Sequence, residues 1–264
     1  GGTVVLDGGE GNVKLSGKIN AAGKTGGKVT VTGANITVAG ADVNASGKNG
    51  GGSVKIGGDY QGGGTLAHAK TVSVDAGSKI DVSAKENGNG GTSIVWSDEV
   101  TNFKGSVVGT GGANGGNGGL AEVSSKGKLG YSGSTNLSAA KGNAGTFLLD
   151  PGNLYLGNVG DFTWMGDDFV NVSSIISDLN SGTNITQTAT NDLSVLGNII
   201  WSGAGSLTLN AGVNAIIEAD IRASFAGTNT QGAVNINAGN YIQMGNAHIS
   251  TRAGDINTTS VDMR

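Results

Sequence analysis

A pair of glycines followed by a short run of Val and Ile recurs at a constant interval in the first part of this chain. The pairs Gly1-Gly2, Gly26-Gly27 and Gly51-Gly52 each precede such a run, and the step between them is 25 residues. Further pairs follow at Gly90-Gly91 and Gly118-Gly119 with wider steps. A constant period of this size predicts a solenoid, in which each repeat is one coil that buries its apolar side chains against its neighbours.

The coil formed by residues 26–50 shows how such a repeat is built. It contains three triplets of alternating apolar and polar residues, Val29-Thr30-Val31, Ile36-Thr37-Val38 and Val43-Asn44-Ala45. Alternation with period 2 predicts that the outer two residues of each triplet point into a core and the middle residue points to solvent. The β-branched residues favour strands, and the glycines between the triplets permit the positive φ angles of sharp corners.

Three short strands and three glycine-rich corners in each coil predict an all-β fold, a three-faced parallel β-helix. The third coil contains an insertion at residues 57–64, which we interpret as a looped-out corner or an extra partial coil. The apolar residues that we assign to the other coils are Val5, Val13, Leu15 and Ile19 (first), Val72, Val74, Ile80 and Val82 (third), Ile94, Trp96, Phe103 and Val107 (fourth), and Leu120, Val123, Leu129 and Leu137 (fifth).

The pattern changes after the only proline, Pro151, which follows an apolar strand and marks a sharp turn. We expect one short accessory helix near residues 172–180, with Asn171 or Ser173 as its N-cap and Gly182 at its end. Its apolar stripe consists of Val172, Ile175, Ile176 and Leu179. The predicted organisation is therefore regular coils of about 25 residues over 1–150, a turn and short helix insertion over 151–183, and a less regular β-helix over 184–264.

Composition argues against several classes of protein. The absence of cysteine means that the fold does not depend on disulfides, and the regular Val/Ile triplets argue against a flexible Gly/Ser linker. The formal net charge is −4 without a basic cluster, so we expect no nucleic-acid partner. The sequence has no run of about 20 apolar residues, so we expect no membrane span. No signal peptide is evident, and we expect the chain to be a segment of something longer.

Three stretches, in this order and at these distances, resemble the filamentous-haemagglutinin-type exoproteins, the large adhesins of bacterial two-partner secretion, which include the high-molecular-weight adhesins. They are residues 51–60 (GGSVKIGGDY), 94–98 (IVWSD) and 147–151 (FLLDP). The resemblance implies a right-handed parallel β-helix, export by a dedicated outer-membrane transporter, and attachment to cells or surfaces. The N-terminal secretion domain of that family has no counterpart in these residues.

Some parallel β-helices cleave polysaccharides, and such enzymes need carboxylates grouped on one face. We interpret the candidates here as solvated corner residues, because neighbours on a strand point to opposite faces. The histidines, His68 and His248, are far apart and have no acidic or cysteine neighbours in the sequence. We therefore predict no catalytic residue, metal site or cofactor. The carboxylates considered are Asp98, Glu99, Asp150, Asp161, Asp167, Asp168, Glu218 and Asp220.

Other residues suggest surface roles. Trp96, Trp164 and Trp201 could form a platform for sugar stacking, although filling of the core or the corners is the favoured interpretation. Six Asn-x-Ser/Thr sequons are candidate glycosylation sites, in a number close to that expected by chance. An ice-binding solenoid would need threonines in register, and Thr30 is followed in the next coil by Lys55. The sequons begin at Asn35, Asn44, Asn136, Asn171, Asn184 and Asn257.

We interpret the chain as a structural rod segment of a secreted adhesin at the bacterial cell surface. The expected partners are a host-cell or surface receptor, with a glycan among the candidates, and an outer-membrane transporter during export. The alternative is a self-assembling matrix or filament protein, since exposed strand edges at the ends of a solenoid favour end-to-end self-association. A carbohydrate-active β-helix is a third, less favoured interpretation.

Overall fold

The computed structural model describes residues 1–158, 168–225 and 231–263. These residues form many short strands, one α-helix, Val172–Asn180 (α1), and one 3₁₀ turn at Tyr60–Gly62. The strands are Thr3–Asp7 (β1), Asn12–Asn20 (β2), Lys28–Thr32 (β3), Asn35–Asn44 (β4), Ser53–Ile56 (β5), Thr71–Val74 (β6), Lys79–Asp81 (β7), Thr92–Ser97 (β8), Val100–Phe103 (β9), Ser106–Val108 (β10), Leu120–Ser125 (β11), Lys128–Tyr131 (β12), Ser134–Asn136 (β13), Thr146–Leu149 (β14), Leu154–Gly157 (β15), Phe169–Asn171 (β16), Asn184–Ala189 (β17), Leu193–Val195 (β18), Ile199–Trp201 (β19), Leu207–Ala211 (β20), Asn214–Ile217 (β21), Ile221–Ala223 (β22), Val234–Ala238 (β23), Tyr241–Met244 (β24), Ile249–Thr251 (β25), Ile256–Thr259 (β26) and Asp262–Met263 (β27).

Long parallel sheets dominate the fold, as expected for an all-β parallel solenoid. The first sheet has ten strands in the order β1-β3-β5-β8-β11-β14-β17-β20-β23-β26. The second has fourteen, in the order β13-β10-β7-β4-β6-β9-β12-β16-β15-β18-β21-β24-β27, with β2 also paired to β4. The third consists of β19-β22-β25. Neighbours in the ten-stranded sheet are never consecutive in the chain, because the chain visits another sheet before it returns.

The register of the ten-stranded sheet follows the glycine repeat. Thr3 pairs with Lys28, Lys28 with Ser53, and Ser53 with Thr92, so the first steps are 25, 25 and 39 residues. The extra residues of the third step leave the sheet between β5 and β6 as a looped-out corner, one of the two predicted forms of this insertion. At about 4.8 Å per strand, the ten strands extend over about 43 Å.

The predicted alternation is confirmed in the coil of residues 26–50, where the apolar residues of all three triplets are buried and Thr37 is exposed. Four assignments in other coils are wrong. Val5 is 63% exposed, while its neighbours Val4 and Leu6 pack against the core. In β8, Ser93 and Val95 take the inward positions, so Ile94 and Trp96 lie on the outer side of the sheet. In β11, Leu120 also points outward.

A short stack of aromatic rings fills the middle of the core. Phe103 stacks on Tyr131 with ring centroids 5.8 Å apart, and Tyr131 meets Phe147 at 5.1 Å. The residues next to Phe147 in the same inward row of the ten-stranded sheet are Ala121 and Ser93. Small residues at those positions leave room for the rings, so the core keeps an even cross-section.

The helix α1 begins and ends close to the predicted residues. Asn171 is the N-cap and accepts a hydrogen bond from Ser173 N, and Gly182 follows the helix with φ +89°. The buried side of α1 packs against β13 on one flank and β19 on the other. The helix therefore occupies the place between two sheets where the strand stack is interrupted.

Side chains of this insertion replace the missing strand as partners of β13. The backbone N–H of Thr135 donates to Asp178 Oδ1 at 2.7 Å, and that of Leu137 donates to Thr183 Oγ1 at 2.9 Å. The Tyr131 hydroxyl donates to Asp178 Oδ2 at 2.8 Å. Burial raises the pKa of Asp178 to about 7. The backbone N–H groups at this edge of the sheet therefore have hydrogen-bond acceptors within the protein.

The double glycines are required for close packing of the backbone. None of the pairs has a positive φ, in contrast to Gly40 and Gly50, which turn corners as expected. A Cβ atom on Gly91 would overlap the carbonyl oxygen of Gly52, and one on Gly119 would overlap that of Gly91. Successive coils therefore approach so closely at this corner that a side chain has no room.

Candidate functional site

A segment of the looped-out corner, residues 57–66, lies across the outer side of the ten-stranded sheet. We call it the strap. Its path is fixed by Asp59, whose carboxylate accepts a hydrogen bond from Tyr60 N at 2.7 Å and pairs with Lys55 Nζ at 2.6 Å. Gly58 and Gly62 lie against the indole of Trp96, where a Cβ atom would be too close to the ring. Glycine is therefore needed for the strap to rest flat on this side chain.

Gln61 holds the strap in an uncommon conformation. It is the only non-glycine residue with a positive φ among the described residues, at φ +52° and ψ +34°. This left-handed geometry lets its backbone N–H point down to Glu122, with distances of 2.9 Å to Oε2 and 3.2 Å to Oε1. Non-glycine residues keep such a conformation when surrounding contacts impose it, and these residues cluster at functional sites.

Near the strap, several side chains on the outer side of the sheet are buried. Ile94 and Glu122 are neighbours in register on β8 and β11, and Trp96 and Ser124 form the next such pair. Leu148 on β14 continues the first row. An outer sheet surface normally meets solvent, and here the strap contacts Trp96 and Glu122 directly. The buried side chains are Ile94, Trp96, Glu122, Ser124 and Leu148.

Glu122 is a buried carboxyl group without a compensating cation. Its side chain has no exposed surface, and no ion pair of the described residues involves it. Burial raises the pKa of Glu122 to about 7, and the nearby negative charges of Asp150 and Asp59 act in the same direction. The Gln61 N–H opposes them only in part. The group therefore holds a proton at higher pH than an ordinary glutamate does.

Asp150 stands beside Glu122 at the end of β14. Gln61 Nε2 lies 3.5 Å from Asp150 Oδ2, so the strap contacts both carboxyl groups through one residue. Burial raises the pKa of Asp150, and burial together with the charges of Glu122 and Asp150 raises the pKa of Tyr60. The arrangement can store or release a proton near neutral pH, and its position under the strap keeps solvent away from Glu122.

The predicted carboxylates do not meet in one group. Asp150 is not the solvated corner residue that we expected, because it contacts the strap through Gln61. We call Asp59, Gln61, Trp96, Glu122 and Asp150 the strap cluster. Asp98 and Glu99 lie at a bend, Asp168 accepts a hydrogen bond from Leu129 N, and Glu218 is exposed. Asp161, Asp167 and Trp164 fall outside the described residues. The most strongly buried glutamate, Glu122, was absent from the sequence candidates. A charged residue between the inward Ala121 and Val123 has the pattern of an ordinary solvent-facing residue, so no local signal marks it.

Folding brings an acidic side chain next to each histidine, although neither has one beside it in the sequence. His68 Nδ1 lies 3.0 Å from Asp98 Oδ1, and His248 Nδ1 lies 3.5 Å from Asp220 Oδ1. Asp220 also pairs with Arg222 at 2.7 Å. No group of three or more His, Cys, Asp or Glu side chains within the described ranges is placed to hold a metal ion. Trp201 fills the core, and Trp96 is buried under the strap.

Three of the six sequon asparagines have a local structural role. Asn44, Asn136 and Asn171 each accept, through Oδ1, a hydrogen bond from the N–H two residues later, at 2.9, 3.1 and 3.0 Å. This is the Asx turn, which asparagine favours at the end of a strand or the start of a helix. A Ser at the third position of each sequon supplies the donor.

The other three sequon asparagines belong to contacts between coils. Asn35 donates to Asn12 and accepts from Thr71, Asn184 accepts from Ser206 N, and Asn257 donates to Asn235. Only Asn35 and Asn257 among the six are classed as exposed. The structure does not bring the six together, and their glycosylation stays a prediction.

A second surface feature lies on the same outer side, beyond the strap. Two ladders of uncharged side chains run across β17, β20, β23 and β26. Asn257 donates to Asn235 Oδ1, and Asn237 donates to Asn210 Oδ1, each at 2.8 Å. The ladders consist of Thr186, Thr208, Asn235 and Asn257, and of Thr188, Asn210, Asn237 and Thr259. They form an ordered polar surface that no segment of the described residues is seen to cover.

Comparison with family models and with curated proteins identifies no relative. No family model matches the chain. A search of curated proteins also finds no match.

Within the described residues, no helix has both the length and the apolar character needed to cross a bilayer. The stretches that suggested the resemblance nevertheless meet in space, since Asp59, Trp96 and Asp150 all belong to the strap cluster.

Proposed function

We propose that the chain is a rod segment of a secreted, surface-associated bacterial adhesin, and that its coils form a right-handed, three-faced β-helix. The observation that carries the proposal is the pair of side-chain ladders on the outer side of the ten-stranded sheet. A parallel stack fixes these amides and hydroxyls at a constant spacing of about 4.8 Å, so they present a rigid polar surface. A rigid, hydrogen-bonding surface loses little conformational entropy when it binds a partner.

The acidic groups support a structural role for the strap cluster. Glu122 is fully buried beneath the strap, and Asp150 is partly covered by the same segment. A polysaccharide-cleaving enzyme needs its acid and its base beside an open substrate groove. The proposed function therefore rests on surface recognition, with a host-cell or surface receptor as the partner and an outer-membrane transporter as the route of export.

Adhesion can be tested with one substitution in a ladder. We expect Asn235→Lys to reduce retention of cells on a surface coated with the purified chain by about fivefold, the change that about 1 kcal/mol produces in binding. The new charge interrupts hydrogen bonds from Asn235 to Thr208 and from Asn257 to Asn235. Thr37→Lys, at an exposed position of β4, is the matched control and should retain cells like the wild type. Retention by the wild-type chain no greater than on an uncoated surface would contradict a binding role.

Exposed apolar residues favour self-association as a second candidate function. Ile256, Val261 and Met263 are 46%, 81% and 58% exposed on and between the outermost strands β26 and β27. Unpaired strand edges with apolar side chains template pairing with another chain. Sedimentation over a range of concentrations should show growing species for the wild type and fewer for Ile256→Lys. A monomer at every concentration would argue against this candidate.

A further inference from the structure

We propose that the strap is a pH-sensitive latch, closed over Ile94, Trp96 and Leu148 while Glu122 carries a proton and opening more often once Glu122 is ionised. The inference does not depend on the adhesive function. It begins from geometry, because the strap reaches across β8 and meets β11 through the Gln61 N–H bond to Glu122. Opening would expose the buried Trp96 and the only fully buried glutamate of the described residues.

Two glycines with positive φ flank the centre of the strap, where a hinge would need backbone freedom. The strap leaves the sheet at Gly57, with φ +77°, and passes Gly64, with φ +69°. Between them, Gln61 holds its left-handed conformation while its backbone and side chain contact the carboxyl groups below. The Gln61 N–H bond by itself favours the ionised carboxylate, so the drive to open comes from burial of that charge and from the nearby Asp150 and Asp59. Once the strap lifts, Gln61 relaxes to an ordinary conformation.

The charged groups facing Glu122 are mostly of its own sign. Asp150 approaches from the end of β14, and Asp59 and the Tyr60 hydroxyl belong to the strap. The strand β8 contributes the apolar Ile94 and the indole of Trp96. The cation on this part of the sheet is Lys55 on β5, which pairs with Asp59 and leaves Glu122 without an ion pair of its own. An ionised Glu122 is therefore poorly compensated while the strap is closed.

Proton linkage gives the direction of the switch. The pKa of Glu122 is about 7 under the strap, against 4.5 for a free glutamate side chain. The closed state therefore binds the proton more tightly, so its advantage is complete below about pH 4.5 and is lost as the pH rises to about 7. The equilibrium constant for closing should fall by up to about 300-fold over that interval. Asp150, whose pKa burial also raises, acts in the same direction.

A second titratable group near the strap must be separated from Glu122. His68 follows the strap, its ring centroid lies 6.1 Å from that of Trp96, and it pairs with Asp98. The contact between His68 and Asp98 is a second attachment of this part of the chain. The variant His68→Gln removes this ionisable side chain without touching Glu122.

Hydrogen exchange of the strap amides, followed by mass spectrometry on the purified chain, tests the latch. We expect protection of residues 57–66, corrected for intrinsic exchange rates, to fall between about pH 5 and pH 8 by one to two powers of ten. Glu122→Gln should keep the strap protected with little dependence on pH, because the amide oxygen still accepts the Gln61 N–H. His68→Gln and Asp178→Asn should behave like the wild type, since Asp178 is a buried carboxyl group remote from the strap.

The outcomes separate clearly. Constant protection of the wild-type strap across this range, or an equal change in Glu122→Gln, would overturn the proposal, and loss of the response in His68→Gln would assign it to the histidine. If Glu122→Gln does not fold, the same measurement on Asp150→Asn tests the proposal. Removal of this neighbouring charge lowers the pKa of Glu122, so the pH response should move to lower pH. An unmoved response in Asp150→Asn would contradict the role of Glu122.

Discussion

Gly91→Ala is expected to lower the free energy of unfolding by about 3 kcal/mol or more, and to leave much of the purified chain unfolded. A Cβ atom at this position would overlap the carbonyl oxygen of Gly52 and other backbone atoms of the preceding coil. Backbone cannot rotate away as a flexible side chain can, so whole coils would have to separate. Circular dichroism with denaturant or heat measures the loss.

Two other glycines provide graded controls for this result. Gly152 has an ordinary φ, and a Cβ atom added to it would meet nothing within 4 Å, so Gly152→Ala should change stability by less than about 0.5 kcal/mol. Gly40 also has open space but a φ of +62°, so Gly40→Ala should cost about 1 kcal/mol through backbone strain alone. Equal effects in all three variants would contradict the argument from close packing.

Asp178→Ala should lower the free energy of unfolding by about 3–5 kcal/mol at mildly acidic pH. The truncation leaves Thr135 N–H without its acceptor and removes one partner of the Tyr131 hydroxyl, inside a region closed to water. Asp178→Asn keeps an acceptor for Thr135 and is the matched control. Denaturant titration of the three proteins side by side measures the difference.

Asp178→Asn and the wild type should also differ in pH dependence. The pKa of Asp178 is about 7 in the folded protein and 3.8 for a free aspartate side chain. Because the folded value is the higher one, this group favours folding most below about pH 3.8, and the contribution is lost as the pH rises to about 7. Asp178→Asn should therefore resemble the wild type near pH 4 and be the more stable of the two near pH 8. The reverse order at pH 8 would show that the ionised carboxylate is well accommodated.

Local patterns were enough to predict the coil and the helix. The triplets of residues 26–50 alternate cleanly, and α1 has both an apolar stripe and an asparagine cap, so each element carries its own signal. In β8 the sequence Ile94-Val95-Trp96 is apolar on both sides of the strand. Alternation then cannot select the inward side, and the assignment of Ile94 and Trp96 to the core was wrong.

The strap cluster could not be predicted from spacing. Gln61 and Glu122 are 61 residues apart, and Gln61 and Asp150 are 89 apart, so their contacts depend on how many residues each corner contains. Glu122 lies between two inward-facing apolar residues, the pattern of an ordinary strand with one exposed side. Its burial is a property of the segment laid over it, which no local period reveals.

The parallel register of the ten-stranded sheet has a mechanical consequence. The ladder hydrogen bonds point from coil to coil, so a force along the stack loads them directly, a few at a time, instead of shearing many together. The coils should then unfold one after another. Each unfolding event would release about 22–39 residues, which is the sequence separation between paired strands. At about 3.5 Å per extended residue, every such event lengthens the chain by roughly 80–140 Å. A segment of this kind would absorb an applied force in successive steps of unfolding.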